Sequence, residues 1–313
     1  MAAHSQIKRA AFFLGKGGVG KTTLSASFAL DAADRGRKTL IVSLDPAHNL
    51  GDVLGARLGG EPLNVRPNLD AAEVDLPSWV KRYLDDTRRE IKANYSYQSA
   101  LNLDGFLNIM KYAPGTEEYA VLWAIEHVWC DLGGLYDTVV FDTPPTALSL
   151  RFLALPTISE LWVAELSKLR ASILKKRTTL LKLNPDAVVG ASCVDPEDDK
   201  VYGRLSAVKQ RLAVLNALFR DESFLALVIN PDQLSRAEGA RIREELDRLR
   251  IPISAVCMNK IGLPGSVDDG PGPALKGLPV FRYALGTANG TDTEKPSGLD
   301  LGDLVDHYTG GSI

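Results

Sequence analysis

The chain has 313 residues, of which 45% are hydrophobic and 24% are charged, and its formal net charge is −3. Such a composition is typical of a soluble globular protein with a full hydrophobic core, built as one enlarged domain or two small ones. A slightly acidic chain has no overall attraction for nucleic acid, so we expect no nucleic-acid partner.

Apolar runs of strand length alternate with helical patterns along the chain. This alternation predicts an α/β fold with a mostly parallel, doubly wound sheet. The predicted strands are, in chain order, residues 10–14, 39–44, 69–74, 138–141, 225–229, 254–258 and 279–283. We expect residues 1–313 to form a single domain around this sheet.

Two gaps in the alternation, 75–137 and 143–223, are too long for one strand-helix-strand unit of roughly 30 residues. Both gaps have helical patterns, and we predict that insertions at about 76–136 and 150–222 form one helical subdomain. Two apolar series at helical spacing support this prediction. They are Ile158, Trp162, Leu166, Leu169 and Ile173, and then Val201, Leu205, Val208, Leu212, Leu215 and Phe219. The Gly- and Pro-rich stretch 263–277 predicts a surface loop.

The first predicted strand runs into a glycine-rich loop, GKGGVGKTT, which is followed by a helical pattern. Glycines let a backbone wrap phosphate groups, and exposed amides at a helix N-terminus supply positive potential. Lys21 would then reach the β- and γ-phosphates, and Thr22 would bind Mg²⁺. A chance match is disfavoured by the flanking strand and helix. The candidate nucleotide-binding residues of the loop are Gly15, Gly17, Gly18, Val19, Gly20, Lys21, Thr22 and Thr23.

Two other predicted strands each end at an aspartate. Asp45 follows the strand at 39–44, and Asp142 follows the strand at 138–141. Ligands bind at the carboxyl ends of strands in open α/β sheets. We therefore expect Asp45 to orient the attacking water and Asp142 to hold Mg²⁺, usually through water. Either aspartate alone is also compatible with a simple helix cap, but together with the loop they form a Mg-nucleotide site.

These motifs resemble a known family. GKGGVGKTT, DPAHNLGD and DTPPTALSLRFLALP are similar to motifs of the deviant Walker A ATPases. Within them the chain resembles the family of the arsenite-pump ATPase and the ATPase that targets tail-anchored membrane proteins. The segments NLDAAEVD, PGTEEYAVL and INPDQLSRAEGARIREELDRLRIPISAVCMNK extend the resemblance over most of the chain.

The resemblance implies a homodimeric P-loop ATPase that hydrolyses Mg-ATP. In this family the extra lysine of the loop is thought to contact the nucleotide of the partner subunit, so Lys16 should act in trans beside the catalytic residues Lys21 and Asp45. The ordinary alternative for Lys16 is a solvated surface lysine. The resemblance also implies that Asn49 lies near Asp45 in the first switch as a nucleotide-binding residue, and that Asn259 hydrogen-bonds the adenine. Glu238 should lie near the dimer interface.

The sequence departs from the family pattern in several places. Ala147 and Leu148 stand where the second switch usually has a glycine and a histidine. No cysteine pair follows MNK, and none follows Asp142 closely, so we expect neither zinc nor an iron–sulfur cluster. The chain has three cysteines, Cys130, Cys193 and Cys257, and Cys130 and Cys193 are not flanked as the metalloid-binding triad of the pump requires. An arsenite or antimonite pump is therefore a less favoured alternative.

The expected partner is an apolar client helix or membrane protein. Targeting members bind it in a methionine-rich groove, but Met110 is the one methionine of the two insertions. Apolar residues of 101–112 and 158–169 could line such a groove, although a stripe of this kind is more often buried in a core. The basic cluster 168–177 is expected to be a solvated helix face. A positioning switch of the MinD or ParA type is the alternative function.

No run of about 18 apolar residues occurs, and the N-terminal apolar segment has no cleavage site. We therefore expect a cytoplasmic protein with at most transient membrane association.

Overall fold

The computed structural model describes residues 9–47, 49–94, 113–183, 195, 197–262, 270–284 and 299–310. Its centre is an eight-stranded sheet with the order β3-β4-β2-β5-β1-β6-β7-β8. The strands are β1 Arg9–Leu14, β2 Thr39–Ser43, β3 Leu63–Arg66, β4 Leu69–Glu73, β5 Thr138–Asp142, β6 Ser223–Ile229, β7 Ala255–Ile261 and β8 Val280–Ala284.

All neighbouring pairs in this sheet are parallel except β3 and β4. The mostly parallel α/β fold and its seven predicted strands are confirmed. The antiparallel edge strand β3 was missed, because it is short and Leu63 and Asn64 are exposed. A four-residue strand without a buried face has too few residues to show an alternating pattern.

The helices follow the strands in the alternation expected of this fold. They are α1 Lys21–Asp34, α2 Leu50–Leu54, α3 Leu76–Asn94, α4 Thr116–His127, α5 Thr146–Leu183, α6 Lys200–Ala217, α7 Gln233–Leu249 and α8 Gly302–Thr309. Short π-helical turns occupy Val128–Leu132 and Leu218–Glu222, and 3₁₀ turns occupy Gly133–Leu135 and Pro273–Leu275. The last of these lies in the predicted surface loop, of which residues 263–269 are outside the described part.

Helix α1 is buried against the sheet and is also covered by α8. The ring of Phe28 on α1 packs against Tyr308 on α8 with 5.2 Å between ring centroids. The Asp31 carboxylate accepts a hydrogen bond of 2.6 Å from the amide of Leu301, and Arg35 forms an ion pair with Asp306. Because α1 begins directly after the glycine-rich loop, these contacts hold the helix behind that loop in place.

The chain divides into two compact units, residues 1–152 with 222–313, and residues 153–221. The second unit contains most of α5 and all of α6. In it, Arg170 of α5 donates two hydrogen bonds, of 2.9 and 2.6 Å, to Asp199, whose carboxylate caps α6. The subdomain at 76–136 and 150–222 stays a prediction, since residues 95–112 and 184–194 lie outside the described part of the chain.

The two apolar series of the second insertion form helices as predicted, but the first series is not buried. On α5, the exposed fractions are 49% for Ile158, 68% for Trp162, 45% for Leu166 and 58% for Leu169. The expectation that this stripe lies in a core is therefore wrong. The buried side chains of α5 lie on another face, because Val163 and Leu174, rather than the stripe, pack inward. The other candidate stripe, residues 101–112, lies outside the described residues.

Among the described residues, α5 is also the one helix whose length and composition would allow it to cross a membrane. Its most apolar window has a mean hydropathy of 1.3, and 33% of that window is buried in the protein. Core helices of soluble proteins meet the same criterion, so this finding carries little weight.

Candidate nucleotide-binding site

The glycine-rich loop connects the end of β1 at Leu14 to the start of α1 at Lys21. A Cβ atom at Gly15 would lie 2.3 Å from the carbonyl oxygen of Val228 on the neighbouring strand β6. At Gly20 the φ angle is 94°, and a Cβ would lie 2.3 Å from Nδ2 of Asn259. Gly15 therefore needs to be glycine because the neighbouring backbone lies so close. Gly20 needs to be glycine because of the nearby Asn259 side chain and also because of its positive φ.

The first turn of α1 provides a site for an anion. Gly20 caps the helix without a side-chain hydrogen bond, and the first turn has no acidic residue. The unpaired amides of a helix N-terminus carry partial positive charge and attract phosphate. Lys21 is buried, and its ammonium donates to the carbonyl oxygen of Lys16 at 3.4 Å. Burial lowers the pKa of Lys21, while the charges of Asp142 and Asp45 oppose that shift.

Asp142 is fully buried at the end of β5, beside the loop. Its Oδ2 accepts hydrogen bonds from the hydroxyl of Thr22 at 2.8 Å and from the hydroxyl of Ser43 at 3.2 Å. Its Oδ1 is buried and has no hydrogen-bond partner. Burial raises the pKa of Asp142 to about 6, against the lowering effects of the Thr22 bond and of Lys21. A buried carboxylate with one unused oxygen needs a cationic or proton-donating partner.

These residues fit Mg²⁺ bound together with a nucleotide. The Thr22 hydroxyl and the Asp142 carboxylate are hard oxygen donors, which Mg²⁺ prefers, and the unpaired Oδ1 leaves room for a further bond. In the described part of the chain, no three His, Cys, Asp or Glu residues gather as a metal cluster. Such a cluster is not required, since Mg²⁺ usually takes one or two protein carboxylates and completes its shell with water and phosphate.

Asp45 comes to the same edge of the sheet, two residues after the end of β2. It is half-buried, its Oδ1 accepts a 3.1 Å hydrogen bond from the amide of Ala47, and its charge acts on both Lys21 and Asp142. Asn49 is exposed and precedes α2. The structure thus brings Asp45 to the loop, whereas the role of Asn49 stays a prediction.

Two further predicted residues are Lys16, in the loop itself, and Glu238, on α7. The side chain of Lys16 is exposed, which leaves it accessible to a second molecule. Glu238 is half-buried on α7, and its carboxylate lies 3.5 Å from the guanidinium of Arg241 on the same helix. The trans role of Lys16 and the interface role of Glu238 stay predictions.

Asn259 on β7 contacts the loop from the other side. Its Nδ2 donates a 2.8 Å hydrogen bond to the carbonyl oxygen of Val19, and the residue is only 5% exposed. The amide of Asn259 also has a second N–H and an acceptor oxygen, with which it could bind adenine. That role stays a prediction. This bond to the loop was not predicted from the sequence.

Three further residues of the site were also missed. Ser43 lies in register with Asp142 across the β2–β5 pair. Aligning the two predicted strands in this register would have identified Ser43 as a residue of the site. Thr143 donates a 2.7 Å hydrogen bond to the carbonyl oxygen of Phe13 and so joins β1 to the segment after β5. Lys260 donates to the carbonyl oxygen of Gly18 at 2.6 Å. No local pattern indicates a partner so distant along the chain.

Comparisons with known proteins place the chain in a family of ATPases. Residues 8–276 match the model of a family described as anion-transporting ATPase. The chain is 30% identical over 263 residues to the putative arsenical pump-driving ATPase 2 of Aquifex aeolicus, covering 83% of this chain and 82% of that protein. It is 37% identical over 264 residues to the ATPase ASNA1 homolog of Entamoeba histolytica, covering 82% and 77% of the two chains. It is also 30% identical over 264 residues to the ATPase get3 of Botryotinia fuckeliana, covering 82% and 74%.

Proposed function

Because the chain belongs to the anion-transporting ATPase family and is an ATP-hydrolysing enzyme, we propose that it is a homodimeric Mg-ATPase whose nucleotide-driven closure controls a client-binding surface on α5. The nearest functional resemblance is to the ATPases that target tail-anchored membrane proteins. The client is an apolar helix, the protein is cytoplasmic, and any contact with a membrane is transient.

In the proposed reaction the residues of the loop bind the nucleotide and Asp45 directs the attacking water. Lys21 and the amides of the α1 N-terminus hold the β- and γ-phosphates. Thr22 and Asp142 would hold Mg²⁺ together with the nucleotide, and the ion would supply positive charge that balances the phosphates. Lys16 of the second subunit adds a cation where charge develops during phosphoryl transfer, so hydrolysis requires a closed dimer.

The observation that carries the client proposal is the exposed apolar row on α5, formed by Ile158, Trp162, Leu166 and Leu169. At about 100° per residue these four side chains lie within roughly 80° of one another around the helix. A contiguous exposed apolar strip of this kind marks an interaction site, and it matches the side-by-side recognition of an amphipathic or apolar helix. Large rigid side chains would replace the methionines of related grooves.

The row and the proposed nucleotide site are close to each other along the chain. Helix α5 begins at Thr146, shortly after Asp142, so the backbone that follows the proposed magnesium-binding aspartate runs directly into the helix with the apolar row. A movement of this segment on hydrolysis would be transmitted along the chain to the client surface.

A metalloid pump is less well supported. Cys257 is fully buried in β7, and burial raises the pKa of its thiol, which disfavours the thiolate that binds metalloids. Cys130 is exposed, and Cys193 lies outside the described residues.

The deciding experiment measures the mass of the Asp45→Asn protein by light scattering, with and without Mg-ATP, in the presence of a transmembrane peptide tethered to a soluble carrier. We expect a dimer that retains the peptide when Mg-ATP is present. A dimer that ignores the peptide would favour a positioning switch instead. A protein that stays monomeric with Mg-ATP would contradict the proposed closure.

A matched pair of variants in the same background tests the surface. Trp162→Asp places a charge in the apolar row and should abolish peptide retention without changing the dimer mass. Ala171→Asp adds the same charge at an exposed position about 180° around the same helix, and it should leave peptide retention intact. Equal loss in both variants would count against the row as the binding surface.

A further inference from the structure

Two carbonyl groups of the glycine-rich loop accept hydrogen bonds from side chains of β7. The Asn259 amide donates to the carbonyl oxygen of Val19 at 2.8 Å, and the Lys260 ammonium donates to that of Gly18 at 2.6 Å. Two consecutive residues of one strand thus bind two consecutive carbonyl groups of the loop.

These bonds fix the orientation of two peptide groups of the loop. In a planar trans peptide, the carbonyl of one residue and the N–H of the next point in opposite directions. Holding the carbonyl of Val19 toward β7 therefore turns the N–H of Gly20 the other way. Holding the carbonyl of Gly18 turns the N–H of Val19 away from β7, and this N–H donates to the carbonyl oxygen of Lys16 at 3.5 Å within the loop. A loop whose amides are already oriented loses less conformational freedom when it binds a phosphate.

The backbone of Lys260 is itself unusual. Within the described residues, three non-glycine residues have a positive φ: Asn68, Arg250 and Lys260. Asn68 precedes β4 directly, and Arg250 ends α7, which are common places for such a conformation. Lys260, with a φ of 58°, lies inside β7, where the pairing with β8 shifts register between Met258 and Ile261. A lysine gains nothing locally from this conformation, so the surrounding contacts must maintain it.

We propose that Lys260 is a positioning residue for phosphate binding, which acts with Asn259 by holding the loop carbonyls away from the nucleotide and does not itself contact the phosphates. This proposal goes beyond the client-binding function and does not depend on it, since it concerns one subunit and its nucleotide.

The test compares Lys260→Met, Lys260→Arg and Lys260→Gly with Lys276→Met, a control at an exposed lysine of the same region. Isothermal titration with ADP and with ATP gives the affinities, and steady-state hydrolysis separates KM from kcat. We expect Lys260→Met to lose about tenfold in affinity, the worth of one charge-assisted hydrogen bond, by the same factor for ADP and ATP. At saturating ATP its kcat should change by less than about threefold.

The other variants separate the ammonium from the backbone. Lys260→Arg should restore most of the affinity, because it keeps a cationic donor. Lys260→Gly removes the cost of the left-handed conformation, so it should melt no lower than Lys260→Met yet bind nucleotide as weakly. Hydrogen exchange of residues 15–22 in the nucleotide-free protein should be faster in both neutral variants.

Several results would overturn the proposal. A loss confined to ATP would mean that Lys260 contacts the γ-phosphate directly. Unchanged affinity in Lys260→Met, or an equal loss in Lys276→Met, would mean that the bond to Gly18 has no part in phosphate binding.

Discussion

The hydroxyl of Thr22 donates a 2.8 Å hydrogen bond to Oδ2 of Asp142, joining the start of α1 to the end of β5 across 120 positions of the chain. The other oxygen of the same carboxylate is buried without a hydrogen-bond partner. The geometry of this pair fits the proposed magnesium site.

Replacing Asp142 by Asn should remove the carboxylate of the proposed magnesium site while preserving the volume of the side chain. We expect kcat with Mg-ATP to fall by about 100-fold, the scale of losing a metal-supporting group. Binding of ADP in the presence of EDTA should stay within about threefold of the unchanged protein, and it is the internal control. Hydrolysis retained at more than a third of the original rate would show that Asp142 is not needed for the metal.

The trans role of Lys16 can be tested by mixing subunits. Lys16→Ala should reduce hydrolysis by about 1,000-fold, as removal of a trans cation does in related phosphoryl transfers, while leaving ADP affinity nearly unchanged because its side chain is exposed. Mixed dimers with Asp45→Asn should regain one working site. Lys276→Ala is the control that should keep full activity, and verified mixed dimers without recovery would argue for an action within one subunit.

Gly20→Ala should disturb the loop in two ways, through the positive φ of residue 20 and through a clash with the side chain of Asn259. The φ angle of 94° costs about 1–2 kcal/mol for any residue with a Cβ, and the new methyl group would displace the Asn259 amide. We expect nucleotide affinity to fall at least about tenfold. Gly36→Ala is a matched control, because Gly36 has a φ of 79° with no atom within 4 Å of the added Cβ.

These two variants should separate conformational cost from steric contact. Titration with ADP and thermal unfolding should show that Gly36→Ala loses stability but not affinity. If both variants bind ADP normally, the contact between Gly20 and Asn259 has no influence on the site.

The ion pair between Arg170 and Asp199 should stabilise the second unit in a pH-dependent way. The bond from Arg170 lowers the pKa of Asp199 below the ordinary value of 3.8. A lowered folded-state pKa gives a contribution that is complete above the unfolded-state pKa and is lost as the pH falls toward the folded-state value. We expect Asp199→Asn to lower the free energy of unfolding by about 2 kcal/mol at pH 7, since it weakens both the pair and the α6 cap.

Urea denaturation followed by circular dichroism at pH 7 and pH 3 measures this difference. The gap between the original protein and Asp199→Asn should narrow at pH 3, because the carboxylate of the unfolded chain is then mostly protonated and part of the advantage of the ionised folded form is lost. Asp198→Asn, at the exposed neighbouring position, should be close to neutral at both pH values. A gap that widens at pH 3 would contradict the assigned pKa direction.

The sequence by itself determined the parallel α/β fold, the glycine-rich loop and the two aspartates at strand ends. Each of these depends on short-range patterns: apolar runs, glycine spacing, and the rule that carboxyl ends of parallel strands meet at one edge. The family resemblance rests on the same local motifs, and the match over residues 8–276 confirms it.

Only the tertiary structure decided which apolar stripes are buried and which polar groups meet. Helical spacing places Ile158, Trp162, Leu166 and Leu169 on one face, but burial depends on what packs there, and that face is exposed. The bond from Lys260 to Gly18 joins residues 242 positions apart. Such contacts arise from the order of strands in the sheet, which brings distant segments together, and no pattern within a few residues encodes them.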